Sequence, residues 1–176
     1  MNIALIGYRG TGKSTVARQL ALALGWDWID ADVEVELRAG KSITAIFADD
    51  GEAAFRDLES AVLADSIGRE RTVLALGGGA VSREMNRERL RLVSLVVWLE
   101  AEPETIAARM ADDPTTASRR PNLTTAGGLE EIRRLLAERS SHYQTCCGLA
   151  ISTDDKTPAD VVAEILARLP TTQARA

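Results

Sequence analysis

Histidine, cysteine and aromatic side chains are scarce in this 176-residue sequence, which has one His, two Cys and 4% aromatic residues. The adjacent thiols Cys146 and Cys147 cannot form a disulfide framework, and they lack the CxxC spacing of redox and zinc sites. Few aromatic residues leave no stacking platform for nucleic acid. No apolar stretch approaches the ~20 residues that span a bilayer. We therefore expect a cytoplasmic protein with reduced thiols and no membrane partner.

Positive charge is also in the minority, with 21 Lys+Arg against 26 Asp+Glu and a net charge of −5. This balance argues against a protein that binds nucleic acid through a broad basic face. The apolar fraction of 45% is typical of a globular protein. We expect one domain over residues 1–170, acting as a monomer, with a frayed tail at 171–176.

Apolar periodicity alternates between short buried strands and amphipathic helices. Strands are predicted at 2–6, 26–30, 72–76, 93–99 and 149–152. Helices are predicted at 13–24, 42–48, 52–66, 82–92, 103–110, 129–143 and 158–169. The alternation predicts an α/β fold: an open five-stranded parallel sheet with helices on both faces.

The segment 111–127 lacks this periodicity and contains the run Ser118-Arg119-Arg120-Pro121. Loops of that length are often functional lids, so we expect a mobile lid at this position. Its arginines are candidates to bring positive charge onto a transferring phosphate, and a basic pair without function is the alternative.

Residues 7–14 read Gly-Tyr-Arg-Gly-Thr-Gly-Lys-Ser, which matches GxxxxGK[ST] between a predicted strand and a predicted helix. The glycines allow backbone N–H groups to face phosphate oxygens at a helix N-terminus. Lys13 is predicted to reach the β and γ phosphates, and Ser14 to bind Mg²⁺. The pattern predicts a nucleotide site, and the Asn-Lys-x-Asp segment of guanine-specific switches is absent from the sequence.

Three further features lie near predicted strand ends or in a helix. Asp30 and Asp32 follow the second strand, where one suits Mg²⁺ and the other a substrate hydroxyl; a turn that caps the next helix is the alternative. A Gly-Gly-Gly run at 77–79 favours close approach of a ligand or a tight turn. Spacing alone favours an exposed Arg56.

Taken together, the motifs resemble those of shikimate kinases, a family of P-loop proteins similar to nucleoside monophosphate kinases. The resemblance rests on the ordered set Asp30-x-Asp32, Phe55-Arg56-x-x-Glu59, Gly77-Gly78-Gly79-Ala80-Val81, Arg120-Pro121 and Arg139 before His142-Tyr143. It covers nearly the whole chain and implies transfer of phosphate from ATP to shikimate, a step toward aromatic amino acids.

The resemblance also implies a set of site residues. ATP contacts are implied for Gly10, Thr11, Gly12, Lys13, Ser14, Thr15, Arg109, Arg120 and Lys156. Shikimate contacts are implied for Asp32, Arg56, Gly78, Gly79 and Arg139, with the two arginines on the carboxylate. Mg²⁺ is implied at Ser14 and Asp30, and catalytic roles at Lys13, Asp32 and Arg120.

Two other functions share the phosphate loop. A kinase for another hydroxy acid, such as gluconate, does not need Arg56 and Arg139 together. A nucleotide-dependent switch has no small acceptor and predicts slow hydrolysis that no acid accelerates.

Overall fold

The computed structural model describes residues 1–112 and 128–169, in which strands and helices alternate along the chain. The strands are β1 (Asn2–Ile6), β2 (Asp27–Asp30), β3 (Thr72–Ala75), β4 (Leu95–Glu100) and β5 (Leu149–Ser152). They pair in parallel in the order β2-β3-β1-β4-β5. The predicted five-stranded parallel α/β sheet is confirmed.

The described residues form eight α-helices and one short 3₁₀ helix. The α-helices are α1 (Lys13–Leu24), α2 (Ala31–Ala39), α3 (Ile43–Asp49), α4 (Gly51–Ser66), α5 (Glu84–Leu90), α6 (Pro103–Asp112), α7 (Gly128–Cys146) and α8 (Pro158–Arg168). The 3₁₀ helix is Ala80–Ser82. Within this part of the chain, no helix combines the length and apolarity needed to cross a membrane.

Each face of the sheet is covered by an apolar layer, because successive strand residues point to opposite sides. Ile3 and Leu5 of β1 pack with buried residues of α1 and α8. Ala4 and Ile6 pack on the other side with residues of α2, α3, α4, α5 and α7. The prediction of helices on both faces is therefore confirmed.

The strand order places the candidate motifs side by side. β1 lies between β3 and β4. Where β1 and β3 end, the Leu76 N–H donates to the Leu5 carbonyl at 3.1 Å. The loops that follow β1 and β3 are therefore neighbours at the carboxyl edge of the sheet, where open α/β sheets bind ligands.

Helices α2 and α6 differ from the sequence prediction, besides shifts of one to three residues at several other ends of strands and helices. Helix α2 was not predicted, because only Ala31 and Val35 of its nine residues are buried and no apolar stripe forms. Helix α6 continues to Asp112, two residues into the predicted lid. The rest of that lid and the predicted tail lie outside the described residues, and the single domain stays a prediction.

Candidate active site

The predicted phosphate loop, residues 7–14, joins β1 to α1. Gly7 has φ +135°, and a Cβ there would lie 2.3 Å from the Leu99 carbonyl oxygen, so only glycine fits. Gly12, at φ +87°, precedes α1, and no side chain of the described residues caps this helix. The first N–H groups of α1 are thus not taken by a capping side chain, as an anion site at a helix N-terminus requires.

Lys13 is almost fully buried, with 8% of its surface exposed. Its Nζ donates to the Gly7 carbonyl at 2.9 Å and to the Tyr8 carbonyl at 2.7 Å. The ammonium group is therefore fixed against the first two residues of the loop, and its charge is kept within the phosphate site.

The other predicted loop residues occupy the same turn. The Thr11 hydroxyl donates to the Tyr8 carbonyl at 2.8 Å, and Thr15 is exposed in the first turn of α1. Gly10 has φ +81° and approaches Met110 and Ile106 of α6.

Asp30 ends β2 and uses its two carboxylate oxygens differently. Oδ1 accepts the backbone N–H groups of Asp32 at 3.0 Å and Val33 at 3.4 Å, which makes Asp30 the N-cap of α2. Oδ2 accepts the Ser14 hydroxyl at 2.5 Å. Both sequence interpretations of Asp30 are thus compatible with one side chain. Asp32 lies half-buried in the first turn of α2.

The Ser14 and Asp30 pair fits a magnesium ion by the chemistry of its donors. A hydroxyl and a carboxylate oxygen are hard ligands, and Mg²⁺ in kinase sites usually takes one or two protein oxygens besides phosphates and waters. In residues 1–112 and 128–169, no group of three or more His, Cys, Asp or Glu side chains forms a cage for a metal. The donor set fits Mg²⁺ shared with a nucleotide.

Arg56 of α4 is buried between two carboxylates, so the prediction of an exposed Arg56 is wrong. Its Nε and Nη2 donate to Glu52 at 3.2 and 3.1 Å, and its Nη1 donates to Glu59 at 2.8 Å. Arg56 and Glu59 are 8% and 2% exposed. Burial opposes the charge, but Glu59 and Glu52 outweigh it and hold the pKa of Arg56 above its usual value. The guanidinium is charged and held in one orientation.

The glycine turn at residues 77–79 contacts both sides of the site. A Cβ on Gly79 would lie 2.2 Å from the Arg56 Nη1 atom, so the bare backbone is packed against the guanidinium. A Cβ on Gly78 would lie 3.1 Å from the Arg9 backbone nitrogen, in the phosphate loop. Gly78 and Gly79 therefore lie between the phosphate loop and the Arg56 guanidinium.

Helix α7 contacts the same turn through two side chains. The Arg139 Nη1 donates to the Gly78 carbonyl at 3.4 Å, and the Tyr143 hydroxyl donates to the same oxygen at 2.5 Å. The predicted shikimate residues Arg56, Gly79 and Arg139 thus come together around one turn.

The start of α7 is also tied to the phosphate loop. Arg9 Nη2 donates to Glu131 Oε1 at 3.3 Å, and the side chains are 13% and 1% exposed. Tyr8 of the loop packs in an apolar cluster with residues of α6 and α7. The two helices that flank the predicted lid are therefore packed against the loop.

Two of the implied ATP contacts, Arg109 and Lys156, lie in α6 and in the segment after β5. Arg109 donates to the Thr153 hydroxyl at 2.9 Å and to its carbonyl at 2.7 Å. Lys156 instead pairs with Glu164 of α8 at 2.6 Å. The geometry thus brings Arg109 to the segment that follows β5, whereas the Lys156 ammonium is bound to α8.

One predicted site residue is not described by the structure, and two residues at the site were not predicted from the sequence. Arg120, with Arg119, lies outside the described residues. The sequence analysis assigned no role to Tyr143 or Glu131. For Tyr143 a signal was present, because Tyr143 follows Arg139 by four residues and the two therefore lie on one face of the helix.

A sequence model of the family described as "Shikimate kinase" matches residues 9–170. The shikimate kinase of Rhodopirellula baltica is 41% identical over 169 residues, which covers 96% of this chain and 90% of that protein. The shikimate kinase of Symbiobacterium thermophilum is 43% identical over 169 residues, or 96% of both chains.

Solved structures give the same grouping. Shikimate kinase from Acinetobacter baumannii, in complex with shikimate, matches with a TM-score of 0.87 and 36% identity over 94% of this chain and 90% of that one. A gluconokinase from Sinorhizobium meliloti matches with a TM-score of 0.53 and 18% identity over 94% of this chain and 89% of that one. The likeness to the gluconokinase extends to the fold alone.

Proposed function

The chain belongs to the shikimate kinase family, and from that premise we propose how its residues phosphorylate shikimate. The enzyme uses ATP to convert shikimate into shikimate 3-phosphate, a step in aromatic amino-acid biosynthesis. The observation that carries the proposal is the turn at residues 77–79, where Gly78 abuts the phosphate loop and Gly79 abuts Arg56. One turn borders both the donor and the acceptor.

Arg56 and Arg139 bind the shikimate carboxylate in this proposal. A guanidinium has five N–H groups, and the bonds to Glu52 and Glu59 use three of those on Arg56. The remaining pair and the Arg139 guanidinium suit a planar carboxylate, which arginine binds through a fork of parallel hydrogen bonds. The Gly78 and Gly79 N–H groups add donors at the same place.

Asp32 orients the shikimate hydroxyl that attacks. Asp32 lies in the first turn of α2, two residues after the capping residue Asp30. Its backbone N–H donates to Oδ1 of Asp30, whose Oδ2 accepts the Ser14 hydroxyl. Phosphoryl transfer depends mainly on positioning and on stabilised charge, so a carboxylate that holds the attacking oxygen is sufficient.

The phosphate side binds ATP through its loop. Backbone N–H groups of residues 10–15 and the Lys13 ammonium bind the phosphates, and Arg120 adds charge from the lid. Arg109 and Lys156 flank the adenine. Ser14 and Asp30 hold Mg²⁺, which supplies charge neutralisation on the phosphates when it is bound.

We further propose a cytoplasmic monomer with small-molecule partners only. The excess of acidic residues suits neither nucleic acid nor an anionic membrane surface.

The experiment measures ADP release by the purified protein with ATP and Mg²⁺, with and without shikimate. Turnover is expected to require shikimate, with gluconate and other hydroxy acids much poorer acceptors. Slow hydrolysis that no acid accelerates would instead indicate a nucleotide switch, and faster turnover with gluconate would overturn the acceptor.

A further inference from the structure

Tyr143 is a fully buried phenol that joins α7 to the turn at residues 77–79. Its hydroxyl donates to the Gly78 carbonyl at 2.5 Å, across 65 residues of sequence. Its ring stacks on Trp98 of β4 with centroids 5.5 Å apart. The phenol is therefore fixed at its ring by the sheet and at its hydroxyl by the turn.

The Tyr143 hydroxyl keeps its proton at neutral pH and therefore acts as a hydrogen-bond donor. Burial, partly opposed by Arg139, raises the pKa of Tyr143 to about 12. The Gly78 carbonyl therefore faces a donor at neutral pH. Among the described residues the other donor to this oxygen is Arg139, at the longer distance of 3.4 Å.

The bond matters because of the peptide that it holds. The carbonyl of Gly78 and the N–H of Gly79 belong to one planar trans unit and point in opposite directions. An anchor on the oxygen thus sets the direction of the N–H group. Glycine backbone has the widest conformational freedom, so two successive glycines have little orientation of their own.

We propose that Tyr143 is a positioning residue for binding of the acceptor. Its hydroxyl orients the Gly78–Gly79 peptide by donating a hydrogen bond to the Gly78 carbonyl, which would otherwise be bonded by Arg139 alone. The Gly79 N–H is then presented beside the Arg56 guanidinium, and the Arg139 N–H groups that do not bond to Gly78 remain for the substrate carboxylate. This inference rests on the proposed function of the site.

The test compares Tyr143→Phe with the matched control Thr72→Val. Both changes remove a hydroxyl that a buried residue donates to a backbone carbonyl; Thr72 bonds to Glu70 at 2.9 Å. Thr72 lies at the amino end of β3, away from the site. Tyr143→Phe is expected to raise the KM for shikimate about tenfold and the KM for ATP less than about twofold, since a buried carbonyl loses its main donor. Thr72→Val is expected to change neither KM.

Rescue separates the hydrogen bond from packing. Replacement of Tyr143 by 4-aminophenylalanine retains a donor and should keep the wild-type KM for shikimate, whereas 4-fluorophenylalanine retains the shape without the donor and should raise it. This pair also decides the matter if Tyr143→Phe does not fold.

Three results would overturn the inference: an unchanged KM for shikimate in Tyr143→Phe, equal increases in both KM values, or identical kinetics for the amino and fluoro replacements. Failure of the proposed function is a different result, because the wild-type protein would then show no shikimate-dependent turnover.

Discussion

The phosphate side and the acceptor side of the site are built by opposite means. On the phosphate side, Lys13 and Thr11 bond to carbonyls three to six residues away in the same loop. On the acceptor side, Arg139 and Tyr143 bond to Gly78 across 61 and 65 residues. The phosphate side is thus stabilised by hydrogen bonds within one loop. The acceptor side forms only where α4, the turn at residues 77–79 and α7 meet.

The two sides also treat charge differently. Two hydrogen bonds of the Lys13 ammonium go to backbone carbonyl oxygens, whereas those of the Arg56 guanidinium go to the carboxylates of Glu52 and Glu59. The acceptor side is already neutralised in part, so it selects shikimate by the direction of its N–H groups more than by net attraction.

The largest expected effect comes from removing the charge of the phosphate side. Lys13→Met should lower kcat by about 10²–10³-fold, because a charge-stabilising donor is lost from the transition state. The affinity for shikimate, measured by calorimetry, should hardly change. Lys41→Met is the control, since Lys41 forms surface pairs with Asp49 and Asp50. A kcat within about tenfold of wild type would contradict the role of Lys13.

On the acceptor side, Arg56→Ala should raise the KM for shikimate about a hundredfold and the KM for ATP less than about threefold. Truncating one member of a buried charge pair costs about 2–5 kcal/mol, and about 1.4 kcal/mol is tenfold in affinity. Arg38→Ala serves as the control, because Arg38 of α2 pairs with Asp65 of α4 near the surface. Equal increases in both KM values would show that the two sides are not separate.

A smaller change to the acceptor side tests its backbone. Gly79→Ala should raise the KM for shikimate about tenfold, because the added methyl occupies the position of the Arg56 guanidinium, which Glu59 holds in place. Gly68→Ala is the control, since a Cβ there meets nothing within 4 Å. Steady-state kinetics and thermal unfolding of both variants check the result, and a shikimate KM that stays at the wild-type value would be incompatible with the packed turn.

The smallest effect is expected where α7 meets the phosphate loop. Glu131→Gln removes the charge that neutralises Arg9 in a buried pair, so the loop is less firmly held and the KM for ATP should rise about threefold. The KM for shikimate should not change. Glu138→Gln on the same helix alters an exposed pair with Arg134 and should have no effect. A rise in the shikimate KM alone would assign Glu131 to the other side.

The contrast between the sides explains what could be predicted from the sequence. The loop at residues 7–14 is contiguous, so its pattern, its strand and its helix could all be predicted with little error. Asp30 left two alternatives open, a helix cap and a metal ligand, and a carboxylate has an oxygen for each.

The acceptor side could not be derived in this way. Spacing favoured an exposed Arg56, because an arginine in the middle of a helix is most often exposed. The turn that covers this one lies more than twenty residues later in the chain. Only the resemblance to a family raised its importance. Tyr143 was missed because its hydroxyl donates to a carbonyl 65 residues away, and local periodicity holds no information on such pairs.

The bond between Tyr143 and Gly78 also has a consequence for the order of folding. Contacts across a few residues close small loops, whereas contacts across 61 and 65 residues require a larger loss of chain entropy before they form. The phosphate loop has its internal bonds as soon as β1 and α1 are in place. The turn at residues 77–79 gains its anchor only after α7 has docked on the sheet, so we expect binding of nucleotide to return before binding of shikimate during refolding.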